Sequence, residues 1–296
     1  MIDFKKIELK DKTWVDTCFK KADYKGCEYS FTNNFIWRNV FHPMIAEVNG
    51  NFCAITGVEE QVTYSYPAGV EKKKDTVEAL MEDAKERGVR FRLRGITSEQ
   101  IKELEQWFPN KFDFTLKRED SDYIYTTEKL TNLAGKKMKG KRNHIARFKD
   151  CEDWGYFDIT KETLAECFEM SVKWCKLHGC GKDQELKKEF CAVEQAFQYF
   201  EELQLQGGFI RRKGEIVAYT MGEPLSSDTF VVHIEKAFPD IQGAYPIINQ
   251  QFVEHNCQNY IYVNREEDVG DEGLRKAKLS YYPDILLDKY EAALRA

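Results

Sequence analysis

Apolar residues recur at helical spacing in some segments of the chain and form short runs between turn residues in others. Apolar positions at i, i+3 and i+7 predict a helix near 75–87, and a second apolar face of this kind predicts a helix near 243–256. This alternation predicts an α+β fold in which mixed, mostly antiparallel sheets are flanked by helices. The strand candidates lie at 62–66, 89–93, 229–235 and 260–263.

Two short segments echo each other at a distance of 164 residues. Residues 50–56 read Gly-Asn-Phe-Cys-Ala-Ile-Thr and residues 214–220 read Gly-Glu-Ile-Val-Ala-Tyr-Thr, so that Gly, Ala and Thr recur at identical spacing. Each segment begins at a turn dipeptide, Asn49-Gly50 or Lys213-Gly214, which predicts a tight hairpin. A strand, a helix and another strand follow each hairpin in the same order, and this order predicts an internal duplication.

Two further helices precede the second hairpin, one beginning near Thr160 and one capped by Asp183. Their apolar stripes predict core packing. A polar run at 117–122 predicts a boundary between domains 1–118 and 119–296, and without a low-complexity linker we expect the two to pack closely. The stripe residues are Leu164, Cys167, Phe168, Ser171, Trp174 and Cys175 in the first helix and Leu186, Phe190, Val193, Phe197 and Phe200 in the second.

Composition narrows the class of protein. The 44 basic and 50 acidic residues give a formal net charge of −6, so bulk attraction to nucleic acid is not expected. No apolar run approaches the roughly 20 residues of a membrane span, and the N-terminus lacks the apolar core of a secretion signal. We therefore expect a cytoplasmic protein without an integral membrane segment. The nine cysteines form no CxxC pair, so reduced thiols are expected.

The basic segment, residues 129–149, departs from this acidic background with eight Lys or Arg and no acid. On a helix, Met138, Ile145 and Phe148 form an apolar stripe that can dock against the protein. The opposite side carries Lys136, Lys139, Asn143 and Arg147. This pattern indicates a phosphate-bearing ligand, such as RNA, a phospholipid headgroup or a nucleotide. The alternative is a solvated helix face balanced by the acids that follow it.

Two segments of the second half bring candidate chemistry to strand ends. In the strand 230–236, alternation places His233 and Glu235 on one face, where they could poise a general base or form a structural polar pair. In the segment 262–283, a strand ends in an acidic loop, with Asn264 and Arg265 at the strand end. The alternative for this loop is a charged connection with internal salt bridges.

Cys175, His178 and Cys180 offer ligand types that suit zinc, but their spacing matches none of the usual zinc patterns. Cys175 also fits the apolar stripe of its helix, so we predict no metal site. The phosphate-loop, dinucleotide-binding and nucleophile-elbow motifs are absent from the sequence.

Three segments resemble a known family, namely 29–38 (YSFTNNFIWR), 135–144 (GKKMKGKRNH) and 264–278 (NREEDVGDEGLRKAK). Together with the element order, they resemble a tandem GNAT-type acyltransferase fold. More specifically, they are similar to bacterial uncharacterised soluble proteins related to the C-terminal catalytic domain of phosphatidylglycerol lysyltransferases. The resemblance implies two GNAT-like domains, with 119–296 catalytic. We expect 1–118 to be a scaffold, because its equivalent strand at 62–66 carries no His or carboxylate.

The resemblance implies transfer of an aminoacyl or acyl group to an amine or hydroxyl acceptor, a small molecule or a peptide. The donor is aminoacyl-tRNA in the lysyltransferases and the similar Fem enzymes, and acyl-CoA in ordinary GNAT enzymes. No tightly bound cofactor is expected. In GNAT enzymes a Gly-rich turn holds the pyrophosphate of CoA; the matching turn here, Asp240–Pro246 with Gly243, departs from that pattern.

Roles for individual residues follow from this resemblance. Lys136, Lys139, Arg142, Arg147, Gly243 and Arg265 would bind the donor. Glu235 or His233 would act as base, Tyr281 or Tyr282 would protonate the leaving group, and Asn264 would belong to the catalytic set. Two other functions stay open: an acyl-CoA-dependent N-acetyltransferase acting on a small amine, and a non-catalytic RNA- or nucleotide-binding protein.

Overall fold

The computed structural model describes residues 1–58, 61–151 and 153–295, and these residues form two seven-stranded sheets flanked by helices. The strands are β1 (Lys5–Lys6), β2 (Met44–Val48), β3 (Asn51–Thr56), β4 (Thr63–Ser65), β5 (Arg92–Ile96), β6 (Phe112–Leu116), β7 (Asp122–Thr126), β8 (Trp154–Asp158), β9 (Gln206–Arg212), β10 (Glu215–Pro224), β11 (Thr229–Ala237), β12 (Tyr262–Asn264), β13 (Ile285–Leu287) and β14 (Tyr290–Leu294). The helices are α1 (Lys12–Ala22), α2 (Phe31–Ile36), α3 (Arg38–Phe41), α4 (Lys73–Glu86), α5 (Ser98–Trp107), α6 (Thr127–Asn132), α7 (Lys139–Lys149), α8 (Leu164–His178), α9 (Gln184–Gln198), α10 (Ala244–Asn256) and α11 (Glu272–Leu279).

The two sheets have equivalent strand orders, β1-β2-β3-β4-β5-β14-β6 and β8-β9-β10-β11-β12-β7-β13. In each sheet the sixth strand of this order is distant in sequence from the strands beside it: β14 lies between β5 and β6, and β7 lies between β12 and β13. β7 follows β6 in sequence but lies in the second sheet, and β14 follows β13 but lies in the first. The first sheet therefore includes residues 290–294, which the predicted division at 118/119 assigns to the second domain.

Both predicted hairpins are confirmed. Asn49 and Gly50 join β2 to β3 with φ angles of 53° and 78°, and Lys213 and Gly214 join β9 to β10 with φ angles of 51° and 82°. The echoed glycines therefore occupy equivalent turns, but a bulge in β10 between Ile216 and Ala218 shifts the alternation, so Ala54 and Ala218 pack in different apolar cores. Positive φ at both central residues matches the right-handed twist of the paired strands.

The largest apolar core lies between the two halves, which confirms that they pack closely. It joins Phe19 and Phe31 of the first half to Phe197 and Tyr219 of the second. The stripes of α8 and α9 contribute to this core, as predicted, and the Asp183 side chain caps α9. α8 begins at Leu164 rather than near Thr160, because Thr160–Thr163 form a separate hydrogen-bonded turn.

Two local expectations, for the basic segment and for the cysteines, are wrong. The basic segment is not one helix: Leu133 and Gly135 adopt positive φ between α6 and α7, so Lys136 precedes α7. Its apolar stripe is nevertheless buried, with Met138, Ile145 and Phe148 packed against the second sheet's core. Cys175 and Cys180 form a disulfide, so the expectation of reduced thiols is wrong for this pair. No helix among the described residues is long and apolar enough to cross a membrane.

Candidate active site where strands β11 and β12 part

The parallel strands β11 and β12 pair over only three positions, from Thr229–Tyr262 to Val231–Asn264. β11 then continues to Ala237, whereas the chain leaves β12 after Asn264. The strands therefore part in the second sheet, and side chains near their carboxyl ends meet at this opening. Clefts at the carboxyl ends of parallel strands are common ligand sites.

A β-bulge at His233 changes which side chains face the opening. Met221 of β10 lies opposite Ile234 and the next residue lies opposite Val232, so His233 has no partner in β10. Val232 packs in the core with α10, whereas Ile234 packs in the core between the halves. Because the extra residue shifts the alternation, the predicted shared face of His233 and Glu235 is wrong.

Glu235 faces α10 and holds a buried arginine. Its Oε1 accepts a hydrogen bond of 2.7 Å from Nη2 of Arg265, and its Oε2 accepts one of 3.1 Å from Nδ2 of Asn249. Burial alone would lower the pKa of Arg265, but Glu235 raises it above its ordinary value. Nη1 of Arg265 and Oδ1 of Asn249 are buried without a hydrogen-bond partner among the described residues. Such unsatisfied groups call for a functional explanation.

Tyr281 and Lys141 complete the β11–β12 site, which we define as Glu235, Asn249, Arg265, Tyr281 and Lys141. The guanidinium of Arg265 lies 4.9 Å from the centre of the Tyr281 ring, and Nζ of Lys141 lies 4.0 Å from the same centre. Burial raises the pKa of the Tyr281 phenol. Burial, followed by the charge of Arg265, lowers the pKa of Lys141 to about 8. The predicted alternative, Tyr282, is exposed.

His233 lies in a separate group, the histidine cluster of His233, Glu223 and Glu266. Its Nδ1 is 2.7 Å from Oε1 of Glu266 and its Nε2 is 3.2 Å from Oε1 of Glu223. Glu223 also accepts hydrogen bonds from Ser30 and Thr32 of the first half. Burial lowers the pKa of His233, but the two carboxylates raise it to about 10. With both ring nitrogens bound to carboxylates, His233 holds Glu223, which bonds to the first half, and has no free nitrogen for base catalysis.

We predict that His233 makes stability fall at alkaline pH. Its contribution to the free energy of unfolding should be complete below pH 6.5, the ordinary pKa, and decline as the pH rises to about 10, because the folded protein keeps a proton that the unfolded chain releases. Urea unfolding at pH 6 and pH 9.5 measures this decline. The decline should be smaller in His233→Gln, and an equal decline in both proteins would contradict the assignment.

Asn264 is fully buried and uses its amide to join the halves. Its Nδ2 donates to Oδ2 of Asp122 at 2.9 Å and to the Lys25 carbonyl at 2.8 Å, and its Oδ1 accepts from the backbone of Glu266. These bonds give Asn264 a structural environment, so the geometry does not favour its predicted catalytic role.

Beside Asn264 lies the Lys289 cluster of Lys289, Asp122, Glu28 and Cys27. Ligand atoms of Cys27, Asp122 and Glu267 lie within 4.8 Å of one another, an arrangement that could hold a metal. However, Nζ of Lys289 lies 2.8 Å from Asp122, 2.7 Å from Glu28 and 3.5 Å from the Cys27 sulfur. The ammonium supplies the positive charge that a metal would bring, so we assign no metal here.

The predicted donor-binding residues divide into two groups. Lys136, Lys139 and Arg147 are exposed, and none forms an ion pair within the described ranges. Arg142 instead donates to the carbonyls of Leu133 and Gly135 and braces the turn before α7. Gly243 packs against α7: a Cβ there would lie 2.3 Å from the His144 carbonyl oxygen. Gly243 thus allows close packing of α7 on α10.

Asn249 and Lys141 were not among the site residues predicted from the sequence. Asn249 lies on the apolar face of α10, where a buried amide among Ile247, Ile248 and Phe252 was the available signal. Lys141 is one of eight cations in the basic segment, and only its contact with Tyr281 distinguishes it.

Two mixed sheets with parting parallel strands define a protein of the GNAT-like acyltransferase fold, built as two tandem units. The chain belongs to the family described as phosphatidylglycerol lysyltransferase, C-terminal, whose model matches residues 19–293.

Solved structures share the fold of this chain. A conserved protein of unknown function from Bacteroides thetaiotaomicron is 40% identical, with full coverage of both chains and a TM-score of 0.95. L-PGS from Bacillus licheniformis is 16% identical, with 99% of this chain and 94% of that chain covered and a TM-score of 0.67. FemX is 9% identical, with coverage of 98% and 97% and a TM-score of 0.59. The last two show a shared fold.

A curated relative is an uncharacterised protein of Mycoplasmoides gallisepticum, 22% identical over 190 residues. The match covers 62% of this chain and 60% of the relative, so this chain aligns with less than two thirds of the relative's length.

Proposed function

We propose that the protein transfers an aminoacyl group from aminoacyl-tRNA to an amine or hydroxyl of a small-molecule or peptide acceptor. The observation that carries this proposal is the buried pair of unsatisfied atoms in the β11–β12 site, Nη1 of Arg265 and Oδ1 of Asn249. They offer one charged donor and one acceptor at the opening where the strands part. Family membership and the FemX-like fold support the reaction class.

The arrangement suits attack on an ester carbonyl. The acceptor nitrogen or oxygen forms a bond to the carbonyl carbon, and Nη1 of Arg265 stabilises the negative charge that develops on the carbonyl oxygen. Glu235 holds the guanidinium in place through the 2.7 Å hydrogen bond. The ester C–O bond then breaks, and the tRNA 3′-terminal oxygen leaves with a proton from Tyr281. The raised pKa of Tyr281 keeps this phenol protonated until that step.

The surface around α7 favours a tRNA donor over acyl-CoA. The exposed cations Lys136, Lys139 and Arg147 lie on α7 or just before it, in the segment that also carries Lys141 of the site, and they suit a series of phosphates. At the start of α10, where a GNAT enzyme would hold pyrophosphate, α7 packs on Gly243, and the Ala244 N–H already donates to the Ile241 carbonyl. Because α7 covers the start of α10, an acyl-CoA donor has less support than a tRNA donor.

The first half is proposed to act as a scaffold. Beyond β4, at the position equivalent to the β11–β12 site, Nζ of Lys73 lies 2.7 Å from Glu103 and 5.9 Å from the ring centres of Tyr24, Tyr66 and Trp107. Tyr66 also donates to Glu103. The charged groups here satisfy one another, in contrast to the unsatisfied atoms of the second half.

Binding of charged tRNA tests the donor. A variant with alanine at Lys136, Lys139 and Arg147 should bind aminoacyl-tRNA more weakly, and the slope of log K against log salt should become shallower by about 2–3, since each phosphate contact releases counterions. Gel shifts at several salt concentrations measure both quantities, with aminoacylated and deacylated tRNA compared in parallel.

The matched control replaces three exposed lysines elsewhere, Lys20, Lys102 and Lys187, by alanine. Its salt slope should stay close to that of the wild-type protein. Equal binding of charged and deacylated tRNA, or a slope that the α7 variant leaves unchanged, would contradict a charged-tRNA donor at this surface. Binding of charged tRNA without any transfer would favour a non-catalytic RNA-binding role.

A further inference from the structure

The proposed transfer needs a group that removes a proton from the acceptor, and the two residues that the sequence suggested are both occupied. Both carboxylate oxygens of Glu235 accept hydrogen bonds, from Arg265 and Asn249. Both ring nitrogens of His233 contact carboxylates in the histidine cluster. An ammonium acceptor cannot attack a carbonyl until it loses its proton, so a base from another residue is required.

Lys141 is the amine of the site, and its nitrogen is free of hydrogen bonds and ion pairs among the described residues. It is half-buried, and its Nζ stands 4.0 Å from the Tyr281 ring centre. Arg265 and Glu235 are the charged groups that face it from the sheet, and Tyr281 faces it from the segment after α11. On its own segment the neighbouring charges are Lys137 and Arg142.

Three features of this place disfavour a charged amine. The side chain is partly removed from water, and the nearby guanidinium of Arg265 repels an ammonium. Lys141 also lies in the first turn of α7, where the positive end of the helix dipole acts against a cation. Glu235 opposes these effects only in part, because its own charge is paired with Arg265.

We propose that Lys141 is the general base of the β11–β12 site and accepts the proton that an ammonium acceptor must lose. This inference rests on the proposed function. In this step the free amine of Lys141 takes one proton, and the acceptor nitrogen then attacks the ester carbonyl carbon. The ester C–O bond breaks and Tyr281 protonates the leaving oxygen, while the attacking nitrogen loses its second proton to the Tyr281 phenolate as the amide forms. Lys141 then releases its proton to solvent. The pKa of Lys141, lowered to about 8, suits this exchange at neutral pH.

Competitive labelling tests the state of Lys141 without any assay of transfer. The folded protein is treated with limiting acetic anhydride from pH 6 to pH 10, then unfolded and fully labelled with deuterated anhydride, and the isotope ratio is measured for each lysine peptide. The labelling midpoint of Lys141 should lie near pH 8, about two units below that of ordinary lysines. A midpoint shared with the other lysines would overturn the proposal.

Two variants make this test specific to the geometry. Arg265→Gln should raise the midpoint of Lys141, because it removes the repelling guanidinium. Glu235→Gln should lower it further, because it removes the attracting carboxylate. Unchanged midpoints in both variants would contradict the proposed contacts.

Single-turnover transfer then tests the role of the amine as a base. Lys141→Arg keeps the charge but cannot lose its proton near neutral pH, so the rate should fall about 10²–10⁴-fold with unchanged affinity for charged tRNA. The rising limb of the pH–rate profile near pH 8 should disappear. Lys187→Arg, an exposed lysine on α9, serves as the matched control. Full activity in Lys141→Arg would overturn this inference alone, whereas a wild-type protein without transfer would contradict the proposed function.

Discussion

Replacement of Arg265 by glutamine should abolish measurable transfer and destabilise the protein. The β11–β12 site loses the donor that faces the developing oxyanion, and removal of one such donor typically costs about 10²–10³-fold in rate. Glu235 is left nearly buried without its cation, since the two side chains are 12% and 11% exposed. Breaking a buried ion pair in this way costs about 3–5 kcal/mol of unfolding free energy. Single-turnover transfer and urea unfolding measure the two effects.

A double variant separates the two consequences. Arg265→Gln combined with Glu235→Gln replaces the ion pair by two neutral amides, so most of the lost stability should return while transfer stays absent. Recovery of transfer in the double variant would show that Arg265 acts only through folding. An active, stable Arg265→Gln protein would contradict the catalytic role of the β11–β12 site.

Lys289→Met should have the largest effect on stability outside the β11–β12 site. Burial alone would lower the pKa of Lys289, but Asp122 and the other anionic neighbours raise it well above its ordinary value, so the ammonium stays charged. Methionine would leave Asp122, which is fully buried, without its cation. The expected cost is about 3–5 kcal/mol in urea unfolding.

The position of Lys289 explains why this loss should affect the whole molecule. Asp122 begins β7 of the second sheet and Lys289 directly precedes β14 of the first sheet, so their ion pair joins the two sheets. As a control, Lys85→Met removes an exposed lysine that is paired with Glu82, and should change stability by less than about 1 kcal/mol. Equal stability of both variants would contradict the role of the Lys289 cluster.

Local features of the fold were predictable because they depend on residues close in sequence. The Asn49-Gly50 turn, the cap at Asp183 and the buried face of α10 all follow from short-range patterns, and each is confirmed. The positions of β7 and β14 were not predictable in this way. Their partners lie far away in sequence, and nothing in either strand's own pattern specifies the sheet that it joins.

The candidate site was predicted only in part, and the reasons are physical. Glu235, Arg265 and Tyr281 lie together in the structure. The resemblance and the strand end had both indicated this region. The bulge at His233 reverses the alternation that had placed His233 beside Glu235. Lys141 resembles its basic neighbours in sequence, and only burial against Tyr281 and the nearby Arg265 gives it a different chemistry.

We propose that the β11–β12 site transfers an aminoacyl group from tRNA. The most direct measurement uses tRNA charged with radioactive amino acids, incubated with the protein and a mixture of small amines, peptides and other acceptors. We predict that label moves from the ester into a product that survives mild alkali when the acceptor is an amine, and that Arg265→Gln prevents this movement. Turnover of acyl-CoA by the wild-type protein, with no loss of label from any charged tRNA, would contradict it.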